Sequence, residues 1–346
     1  MKAVVKFAQG KGNTELREID IPKVGPDEAL VEARAIGICS YTDVIGVYGG
    51  RTEVAKVPIV VGHEIAGVVK EIGQNVKGLK VGDRVCADTC ATTCGTCIYC
   101  GSGRYYLCNQ RKGHGYGADG VYAEYASIHW RMLHKIPKEI SFEVGAEIQP
   151  LAHAVHTVVD RAHICPGDTV VVFGPDSHGL FMSQVAKAYG AQVIVAGGND
   201  DAQVGLKVAK KVGIDITVNI AEEDILDIAR NSTNGVGADV VIENAGDPAI
   251  LKQGLRILRK QGQLVITGVY HQPAEIDIRH IHRSEITLTG SYTQWWPNFE
   301  RAIKMLLSKE IVAEPLITHK LPLEDWEKGF RLVEKKEAVK VILYPK

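Results

Sequence analysis

The run Cys94-Gly-Thr-Cys97-Ile-Tyr-Cys100, followed by seven residues and then Cys108, sets three thiols at steps of three and adds a fourth after a short loop. Four thiolates at this spacing suit one tetrahedral Zn²⁺, because they fill its coordination sphere and leave no position for water. The sequence therefore predicts a structural zinc site in this four-cysteine loop (residues 94–108). Two disulfides are the alternative. They are disfavoured because this is not a small, cysteine-dense domain and we expect no signal sequence at its start.

Length and composition favour two domains and a small-molecule partner. A chain of 346 residues is longer than one ordinary core supports, and its hydrophobic content of 45% can bury two cores. The 40 basic and 41 acidic residues are mixed without blocks of like charge, which argues against binding nucleic acid or an anionic membrane. No apolar run reaches the roughly eighteen residues that cross a bilayer. We expect a cytoplasmic protein that forms a homodimer or homotetramer.

Residues 1–150 have the character of strands and turns. Short apolar alternations, such as those at 29–35 and 66–72, are interrupted by glycines. Cys39 follows one apolar segment and His63 ends another, so both side chains are expected at strand ends that face a cleft. A thiolate and an imidazole supply half of a zinc coordination sphere.

From residue 168 onward the pattern changes to apolar strand segments separated by helical segments. The predicted strands are Val170–Phe173, Val193–Ala196, Ile216–Asn219, Val240–Glu243, Leu264–Thr267 and Ile286–Thr289. The predicted helices between them are Leu180–Tyr189, Val204–Val212, Glu223–Arg230 and Ala249–Lys260. This alternation predicts a six-stranded, doubly wound parallel sheet of the Rossmann type, without reliance on any motif.

The first strand-to-helix turn of such a sheet carries Gly-x-Gly-x-x-Gly when it binds a dinucleotide. Here the turn is Gly174-Pro-Asp176-Ser-His-Gly179, so the first and third glycines are present and Asp176 replaces the second. The middle glycine is wanted because the backbone approaches the pyrophosphate there. We expect Ser177, His178 and the first amides of the helix to face the phosphates, with Asp176 turned aside or weakening binding.

The four-cysteine loop lies some thirty residues after Gly62-His63-Glu64 in an α/β chain of this length, and in this the sequence resembles the zinc-containing medium-chain alcohol and polyol dehydrogenases, sorbitol dehydrogenases among them. The resemblance covers nearly the whole chain. It implies a catalytic β-rich GroES-like domain (1–152), a Rossmann domain for a nicotinamide dinucleotide (153–290) and a return segment (291–346) that completes the catalytic domain. It also implies two zinc ions per chain, one catalytic and one structural, and NAD or NADP as cofactor.

The resemblance assigns the catalytic zinc to Cys39 and His63, with Glu64 as an additional ligand or as a carboxylate behind the ligands that tunes the ion. The family's third protein ligand usually lies in a Glu-Pro-Leu triplet, whereas this chain has Gln149-Pro-Leu. A neutral amide oxygen is a weaker ligand, so the ion would keep more positive charge and acidify its bound water or alcohol further. Gln149 either binds zinc directly or contacts substrate hydroxyls.

A second departure concerns the hydroxyl that passes the alcohol proton to solvent. Relatives usually carry Cys-x-Ser/Thr-Asp, whereas here the run is Cys39-Ser-Tyr-Thr-Asp43, with the hydroxyl offset by one residue. Thr42 is therefore the first choice for this relay and Tyr41 the second. His153 and His156, on the helix expected next, are further relay or pocket candidates, with solvated helix histidines as the alternative.

The end of the second Rossmann strand bears on the choice between NAD and NADP. An acidic residue usually stands there to bind the adenosine ribose, but here the strand is followed by Gly197-Gly-Asn-Asp-Asp201, so the acid is displaced by about three positions. Gly197 would admit a 2′-phosphate, yet no Arg or Lys stands nearby to hold one, which leans toward NAD. We expect Asn199 near the adenosine half of the cofactor, and Gly268 and Val269 near the nicotinamide half.

These features predict a zinc-dependent oxidoreductase that moves hydride between NAD(P) and a secondary alcohol of a polyol, sugar or hydroxy-amino acid. The alternative comes from another class of protein. Asp176 and Gln149 together leave open a zinc-binding homologue that kept the fold, lost turnover or bound cofactor weakly, and acts as a binding or scaffold protein.

Overall fold

The computed structural model describes residues 1–345 and divides them into two compact units. The first unit contains Met1–Gln149, Trp295–Leu307 and the segment from Ile317 to the end of the described chain, and the second contains Pro150–Gln294 and Ser308–Leu316. These divisions lie three and four residues from the boundaries expected at 152/153 and 290/291. Within the expected return segment, residues 291–294 and Ser308–Leu316 group with the second unit, and Trp295–Leu307 and the described residues from Ile317 onward group with the first.

The strands and helices are numbered in chain order. The strands are β1 (Lys2–Lys6), β2 (Thr14–Glu18), β3 (Glu28–Gly37), β4 (Ile59–Val60), β5 (Glu64–Ile72), β6 (Arg84–Ala87), β7 (Cys90–Thr92), β8 (Lys112–Gly113), β9 (Tyr125–His129), β10 (Leu133–Lys135), β11 (Thr169–Phe173), β12 (Gln192–Gly197), β13 (Ile216–Asn219), β14 (Ala238–Glu243), β15 (Leu258–Ile266), β16 (Thr287–Gly290), β17 (Ile317–Pro322) and β18 (Lys340–Tyr344). The α-helices are α1 (Ile98–Gly101), α2 (Phe142–Ala146), α3 (Ile148–Val155), α4 (Ser177–Ala188), α5 (Asn199–Ala202), α6 (Gly205–Lys211), α7 (Ile225–Asn231), α8 (Pro248–Ile257), α9 (Ile278–Ser284), α10 (Trp296–Leu307) and α11 (Trp326–Glu334). π-helices span Ser40–Tyr48 and His156–Arg161, and 3₁₀ helices span Tyr105–Leu107, Trp130–Met132, Glu314–Leu316 and Leu323–Asp325.

The first unit is built on a mixed sheet with the strand order β10-β6-β5-β3-β18-β17, in which β9 also pairs with β3. Smaller sheets are formed by β2-β1-β4 and by β7-β8. In the antiparallel pair of β3 and β5, Gly37 lies opposite Glu64. This register brings the residues that follow β3, including Cys39, beside the start of β5, which His63 immediately precedes.

An aromatic cluster holds the segment after Cys39 against the core of the first unit. Tyr48, the last residue of the first π-helix, has its ring centroid 5.8 Å from that of Trp326 and 5.4 Å from that of Phe330, both on α11. Tyr122 lies 6.2 Å from Phe330 on the same measure. Such edge-to-face pairs stabilise packing beyond the area they bury, so α11 fixes the π-helix in place.

The second unit is a six-stranded sheet with the order β13-β12-β11-β14-β15-β16, in which every pair is parallel. This is the strand order of the doubly wound Rossmann fold, and it confirms the predicted fold class. Strands buried on both faces show continuous apolar runs. Val170, Val171 and Val172 of β11 are fully buried for this reason.

The predicted helix at 249–260 is too long and the predicted strand at 264–267 is too short. The helix ends at Ile257, and β15 begins at once with Leu258, which pairs with Ala238. The register then shifts, and pairing resumes between Val240 and Gln263. The intervening polar residues hide the strand from a search for apolar runs. Among residues 1–345, no helix combines the length and apolarity that a membrane span needs.

Candidate active site

Cys39, His63 and Glu64 meet in the interior of the first unit. Their ligand atoms all lie within 4.8 Å of one another, and their exposed fractions are only 3%, 4% and 0%. A buried thiol, imidazole and carboxylate at this separation form a donor set that suits Zn²⁺. The structure thus brings together three of the residues that the sequence analysis assigned to the catalytic metal.

The turn that delivers His63 depends on Gly62. Its φ angle of +87° lies in the left-handed region that favours glycine. A Cβ atom at this position would also lie 1.9 Å from a ring carbon of Tyr122. The motif Gly62-His63-Glu64 is therefore a tight turn pressed against an aromatic ring, and it aims the imidazole at Cys39.

Asp43 is the buried partner of His63. Its Oδ1 lies 3.2 Å from Nδ1 of His63. Its Oδ2 accepts hydrogen bonds from the Cys39 amide at 3.0 Å and from the Tyr122 hydroxyl at 2.5 Å. A carboxylate on one nitrogen of a metal-binding histidine fixes the ring orientation and raises its basicity. Because Nδ1 faces Asp43, Nε2 is the nitrogen of His63 that could bind a metal.

Asp43 and His63 each stabilise the charged form of the other, which offsets the cost of burying both charges. Burial alone lowers the pKa of His63, but the adjacent Asp43 carboxylate outweighs it and the pKa is raised well above its ordinary value. Burial likewise acts to raise the pKa of Asp43, but His63, Tyr122 and the Cys39 amide outweigh it and the net direction is downward. Asp43 is therefore a carboxylate, ready to orient an imidazole bound to a cation.

The first π-helix accommodates the one-residue offset seen after Cys39. The Val44 amide donates to the Cys39 carbonyl at 3.3 Å, and the Gly49 amide donates to the Val44 carbonyl at 2.8 Å, both across five residues. This wider turn takes up the additional residue, so Asp43 still reaches His63. Thr42 directly precedes Asp43 and is half-buried, as is Tyr41, whose pKa is raised mainly by burial.

Lys340 of β18 holds Glu64. Its ammonium lies 3.0 Å and 2.8 Å from the two carboxylate oxygens and donates to the Ile38 carbonyl at 3.1 Å. Both side chains of the ion pair are fully buried. Burial acts to lower the pKa of Lys340, but Glu64, Glu147 and Cys39 outweigh it and the pKa is raised. Glu64 is therefore the member of the cluster that is already paired with a cation, and direct metal binding by it would compete with Lys340.

Gln149 is buried at the start of α3, with an exposed fraction of 5%. His153 and His156 follow it at the end of α3 and the start of the second π-helix. His156 is buried, with Nδ1 3.0 Å from Asp160 Oδ2, and His153 contacts Thr267. His156 is therefore not a solvated helix histidine, whereas His153 is half-buried.

The four-cysteine loop has the geometry of a single metal site. Sulfur–sulfur distances are 3.6 Å between Cys94 and Cys108, 3.6 Å between Cys97 and Cys100, and 3.9 Å between Cys94 and Cys100. Four sulfurs placed about 2.3 Å from a central Zn²⁺ in a tetrahedron are about 3.8 Å apart. All four cysteines are free thiols, so the structure holds no disulfide here and the residues fit a zinc ion.

Backbone amides prepare this loop for a cation. Donors from Thr96 and Cys97 lower the pKa of the Cys94 thiol to about 6. The thiolate is the form that binds metal, so Cys94 could serve as a ligand at neutral pH without help from a basic side chain. Burial, in contrast, raises the pKa of the Cys100 thiol to about 11. Of the remaining cysteines outside the two clusters, Cys86 and Cys90 are buried and Cys165 is exposed.

The turn that carries the glycine motif of the second unit joins β11 to α4. Gly174 has a φ angle of +94°. A Cβ atom on Gly179 would lie 1.9 Å from the Gly174 carbonyl oxygen, so the first and third glycines of the motif are sterically required. Ser177 is buried and His178 is half-buried at the first two positions of α4. The amides of this helix start are suited to an anionic group.

Asp176 is the N-cap of α4, a role that the sequence analysis did not foresee. Its Oδ1 accepts hydrogen bonds from the Gly179 amide at 3.0 Å and from the Asn244 side-chain amide at 2.9 Å. Its backbone is extended, with φ at −79° and ψ at −177°, so this position does not need glycine. The Asp176 carboxylate is held in the turn by its hydrogen bonds to the Gly179 amide and to Asn244 in the loop after β14. It is therefore not simply turned aside.

Asp201, one of the acidic residues displaced from the end of the second Rossmann strand, is engaged in a local hydrogen bond. Asp201 Oδ2 accepts a hydrogen bond from the Gly198 amide at 2.9 Å and caps the one-turn helix α5. Asn199 is exposed and accepts a hydrogen bond from the Asn219 side chain at 2.9 Å. The end of β12 therefore presents amides and no positioned carboxylate.

Gly268 and Val269 follow β15 at the carboxyl edge of the sheet. A Cβ atom on Gly268 would lie 2.3 Å from the Gly246 amide nitrogen, so the loops after β14 and β15 meet closely. Val269 is 45% exposed and so presents an apolar surface at this edge. Nicotinamide dinucleotides bind along the carboxyl edge of such sheets.

Comparison with known proteins identifies the family. The family model described as alcohol dehydrogenase GroES-like domain matches residues 25–138, and the model described as zinc-binding dehydrogenase matches residues 179–308. The chain is 38% identical to the sorbitol dehydrogenase of Halalkalibacterium halodurans, over 100% of this chain and 99% of the relative. This chain belongs to the zinc-containing medium-chain alcohol and polyol dehydrogenases.

Other members of the family extend over the same length. The L-threonine 3-dehydrogenase of Bacillus velezensis is 36% identical over 100% of this chain and 99% of its own. Among solved structures, a zinc-binding dehydrogenase of Sinorhizobium meliloti 1021 bound to NADP matches with a TM-score of 0.88 and 30% identity, and an alcohol dehydrogenase of E. coli CFT073 complexed with NADH matches with a TM-score of 0.90 and 28% identity. Each covers 99% of both chains. The chain is thus a dehydrogenase, and the scaffold alternative is not favoured.

Two residues of the dehydrogenase site escaped the sequence analysis as participants. Asp43 was visible in the run after Cys39, and its position next to a hydroxyl residue was the available signal. Lys340 lies 276 residues from Glu64 in a short apolar strand, where a lysine gives no sign of burial. Only the pairing of β18 with β3 brings it to the site.

Asp176→Asn is expected to tighten dinucleotide binding by about fivefold, because it removes a negative charge beside the phosphates while its amide oxygen keeps both hydrogen bonds. Asparagine is as good an N-cap as aspartate, so the melting temperature should change little. Fluorescence titration with NADH at about pH 8 measures the affinity. Asp176→Ala, which also loses the cap, is the matched control and should cost about 1 kcal/mol of stability. Weaker binding by the Asn variant would show that the carboxylate does not face the phosphates.

Proposed function

We propose that this dehydrogenase transfers hydride between a secondary alcohol of a polyol, sugar or hydroxy-amino acid and NAD or NADP, with zinc at Cys39 and His63. The observation that carries the proposal is the buried cluster of Cys39, His63 and Glu64, whose donor atoms lie within 4.8 Å of one another. The activities of two relatives, a sorbitol dehydrogenase and an L-threonine 3-dehydrogenase, support the substrate class.

The charges around the cluster favour a bound cation. Lys340 faces three acidic groups, Glu64, Glu147 and Cys39, and Asp43 adds a further carboxylate on the far side of His63. Buried anions in excess of their partners are costly unless a cation offsets them. Zinc bound at Cys39 and His63 would do so, and it would supply Lewis-acid chemistry to the substrate oxygen.

The surrounding residues then have distinct roles. Asp43 orients His63 through Nδ1, and Lys340 holds Glu64 in place as a carboxylate that tunes the ion. Gln149 completes the site, either as a neutral ligand or as a contact to a substrate hydroxyl. We assign the passage of the alcohol proton toward solvent to Thr42, directly before Asp43, with Tyr41 as the second candidate. The four-cysteine loop would hold a second, structural zinc ion.

The cofactor proposal rests on the second unit. Its sheet has the Rossmann strand order, and the turn after β11 keeps the first and third glycines of the dinucleotide motif. The structural neighbours bound to NADP and to NADH support both cofactors as candidates. We favour NAD slightly, because the segment 197–201 carries two aspartates and no cation for a 2′-phosphate.

A vicinal polyol is expected to exceed ethanol or 1-butanol in kcat/KM by about a hundredfold or more. Gln149 and a hydroxyl from Thr42 or Tyr41 would lose, with an alkyl alcohol, the hydrogen bonds that a polyol offers them, at about 1–3 kcal/mol each if buried. The test is a panel of sorbitol, galactitol, xylitol, glucose and threonine against short primary alcohols, with both cofactors. Preference for a primary alkyl alcohol would show that these polar groups face away from the substrate.

Assembly and location are also part of this proposal. We propose a homodimer or homotetramer that acts in the cytoplasm on a small-molecule alcohol. Light scattering coupled to size-exclusion chromatography measures the mass of the assembly. A monomer of 37.6 kDa would contradict the proposed oligomer.

A further inference from the structure

Tyr122 is a fully buried side chain of the first unit. Its phenolic hydroxyl donates to Asp43 Oδ2 at 2.5 Å and lies 3.0 Å from the Gly37 carbonyl oxygen. Both neighbours are acceptors, because Asp43 is a carboxylate, and the hydroxyl has a single proton to donate. The shorter contact is the one to the charged acceptor, as expected for a charge-assisted hydrogen bond. Tyr122 is therefore bonded to the carboxylate that faces His63.

The surroundings of the Tyr122 hydroxyl keep it protonated. Burial raises the pKa of Tyr122 well above the ordinary value of a tyrosine, and the nearby acidic groups of Asp43, Glu64 and Cys39 act in the same direction. A second anion beside the buried Asp43 carboxylate is disfavoured for these reasons. At neutral pH the hydroxyl is therefore a hydrogen-bond donor and not a base.

The ring and the backbone of Tyr122 lie against the segment that leads into His63. A Cβ atom on Gly62 would meet the Tyr122 ring at 1.9 Å, and the Tyr122 amide donates to the Val61 carbonyl at 2.9 Å. The ring also packs edge to face with that of Phe330. These contacts fix the ring, so the hydroxyl has a set position relative to the turn that bears His63.

The two carboxylate oxygens of Asp43 have different partners. Oδ1 faces His63 Nδ1 at 3.2 Å, while Oδ2 accepts from the Cys39 amide at 3.0 Å and from the Tyr122 hydroxyl. Two donors on Oδ2 restrain rotation of the carboxylate about its Cβ–Cγ bond, and they keep Oδ1 directed at the imidazole. Without the hydroxyl, the Cys39 amide would be the single donor of this pair that remains. Tyr122 thus contributes to the orientation of His63 through Asp43.

We propose that Tyr122 is a positioning residue of the metal site, which acts through Asp43 to hold His63 in the orientation that binds the metal. The inference rests on the proposed zinc site at Cys39 and His63 and adds to it a group that is not itself a metal ligand. Loss of the partner behind a metal-binding histidine typically weakens metal binding by about 10–100-fold. Tyr122 stands one contact further from the metal than Asp43, so the lower end of this range, about tenfold, is expected for its hydroxyl.

The test is zinc release from the purified enzyme to a chromogenic chelator. Tyr122→Phe removes the hydroxyl and keeps the ring that packs on Gly62 and Phe330. The dissociation constant for zinc at Cys39 and His63 should rise by about tenfold in this variant. Zinc bound by the four-cysteine loop, which is a separate cluster, should be released as in the wild type and serves as an internal reference. Tyr48→Phe is the matched control, because its ring packs on the same Phe330, and it should behave like the wild type.

A double-mutant cycle separates positioning through Asp43 from a general loss of packing. Asp43→Ala removes the acceptor and should weaken zinc binding more than Tyr122→Phe does. If the hydroxyl acts through the carboxylate, adding Tyr122→Phe to Asp43→Ala should change the zinc dissociation constant by about twofold or less. An equal loss, about tenfold, in both backgrounds would mean that the hydroxyl acts independently of Asp43, and it would overturn the inference.

Two further outcomes would overturn the inference while the proposed function stands. One is a Tyr122→Phe variant that holds this zinc as tightly as the wild type or more tightly, since tighter binding would show that the hydroxyl moderates the charge of Asp43 instead of positioning it. The other is loss of the fold in Tyr122→Phe, seen by thermal unfolding, which would make the hydroxyl a requirement of folding. A wild-type zinc content that Cys39→Ser leaves unchanged would instead overturn the proposed metal site and the inference together.

Discussion

Cys39→Ser is expected to lower turnover by about a thousandfold or more, while the melting temperature stays within a few degrees of the wild-type value. The thiolate is one of the donors of the buried cluster with His63 and Glu64, and a serine hydroxyl is a poor zinc ligand. Loss of the Lewis acid removes about 4 kcal/mol or more of transition-state stabilisation. The fold should persist, because Cys39 contributes little apolar contact of its own.

The measurement is kcat with the preferred polyol, together with thermal unfolding. Cys86→Ser is the matched control, since Cys86 is also a buried thiol but lies on β6, outside both metal clusters. It should keep turnover within a few-fold of the wild type. Full activity of Cys39→Ser would remove Cys39 from the metal site, whereas a collapsed melting temperature would make it a structural residue.

Cys97→Ser is expected to lower the free energy of unfolding by about 4 kcal/mol or more, which places it among the most damaging single changes. A closed site of four thiolates contributes its metal-binding free energy directly to folding. The surrounding chain has little else to stabilise it, because Ile98 is 80% exposed and Tyr99 and Leu107 are more than a third exposed. Removal of the ion therefore leaves a loop without a core.

Thermal unfolding of the purified variant measures this effect. Cys165→Ser is the control, since Cys165 is exposed and should change stability by about 0.5 kcal/mol or less. A chelator added to the wild-type enzyme should reproduce the loss seen with Cys97→Ser. Unchanged stability of Cys97→Ser would mean that the four-cysteine loop is held by its hydrogen bonds alone.

The Rossmann sheet was predictable because each of its strands is a local apolar run. Parallel strands covered on both faces need continuous hydrophobic residues, so β11, β12 and β14 are visible in the sequence without reference to partners. The boundary of β15 was not, because the polar residues between Leu258 and Gln263 are extended only through pairing with β14. Sequence pattern thus locates the core of each strand better than its ends.

The four-cysteine loop was predictable from its spacing, and Cys39 and His63 from the resemblance to the family, but their supporting groups were not. Cys39, His63 and the four-cysteine loop carry recognisable chemistry in a fixed order. Lys340 does not, because its partner Glu64 is distant in sequence and the pairing depends on β18 lying beside β3. Long-range contacts of this kind are set by topology, which local patterns do not encode.

Asp176 shows how a departure from a motif can follow a local rule. In the Gly-x-Gly-x-x-Gly pattern, Asp176 replaces the second glycine and was expected to turn aside or to weaken cofactor binding. An aspartate immediately before a helix is also a preferred N-cap, and the structure shows it bonded to the Gly179 amide. Two sequence signals competed at one position, and the structure shows that the capping role is realised.

The metal content of the purified enzyme tests the central claim most directly. The account predicts two zinc ions per chain in the wild type. Cys39→Ser should retain one, with its melting temperature preserved, and Cys97→Ser should lose the other, with its stability lost. Mass spectrometry for elemental zinc, normalised to protein concentration, gives the count. A single zinc ion per wild-type chain that the Cys39 change leaves in place would contradict a catalytic metal at Cys39 and His63.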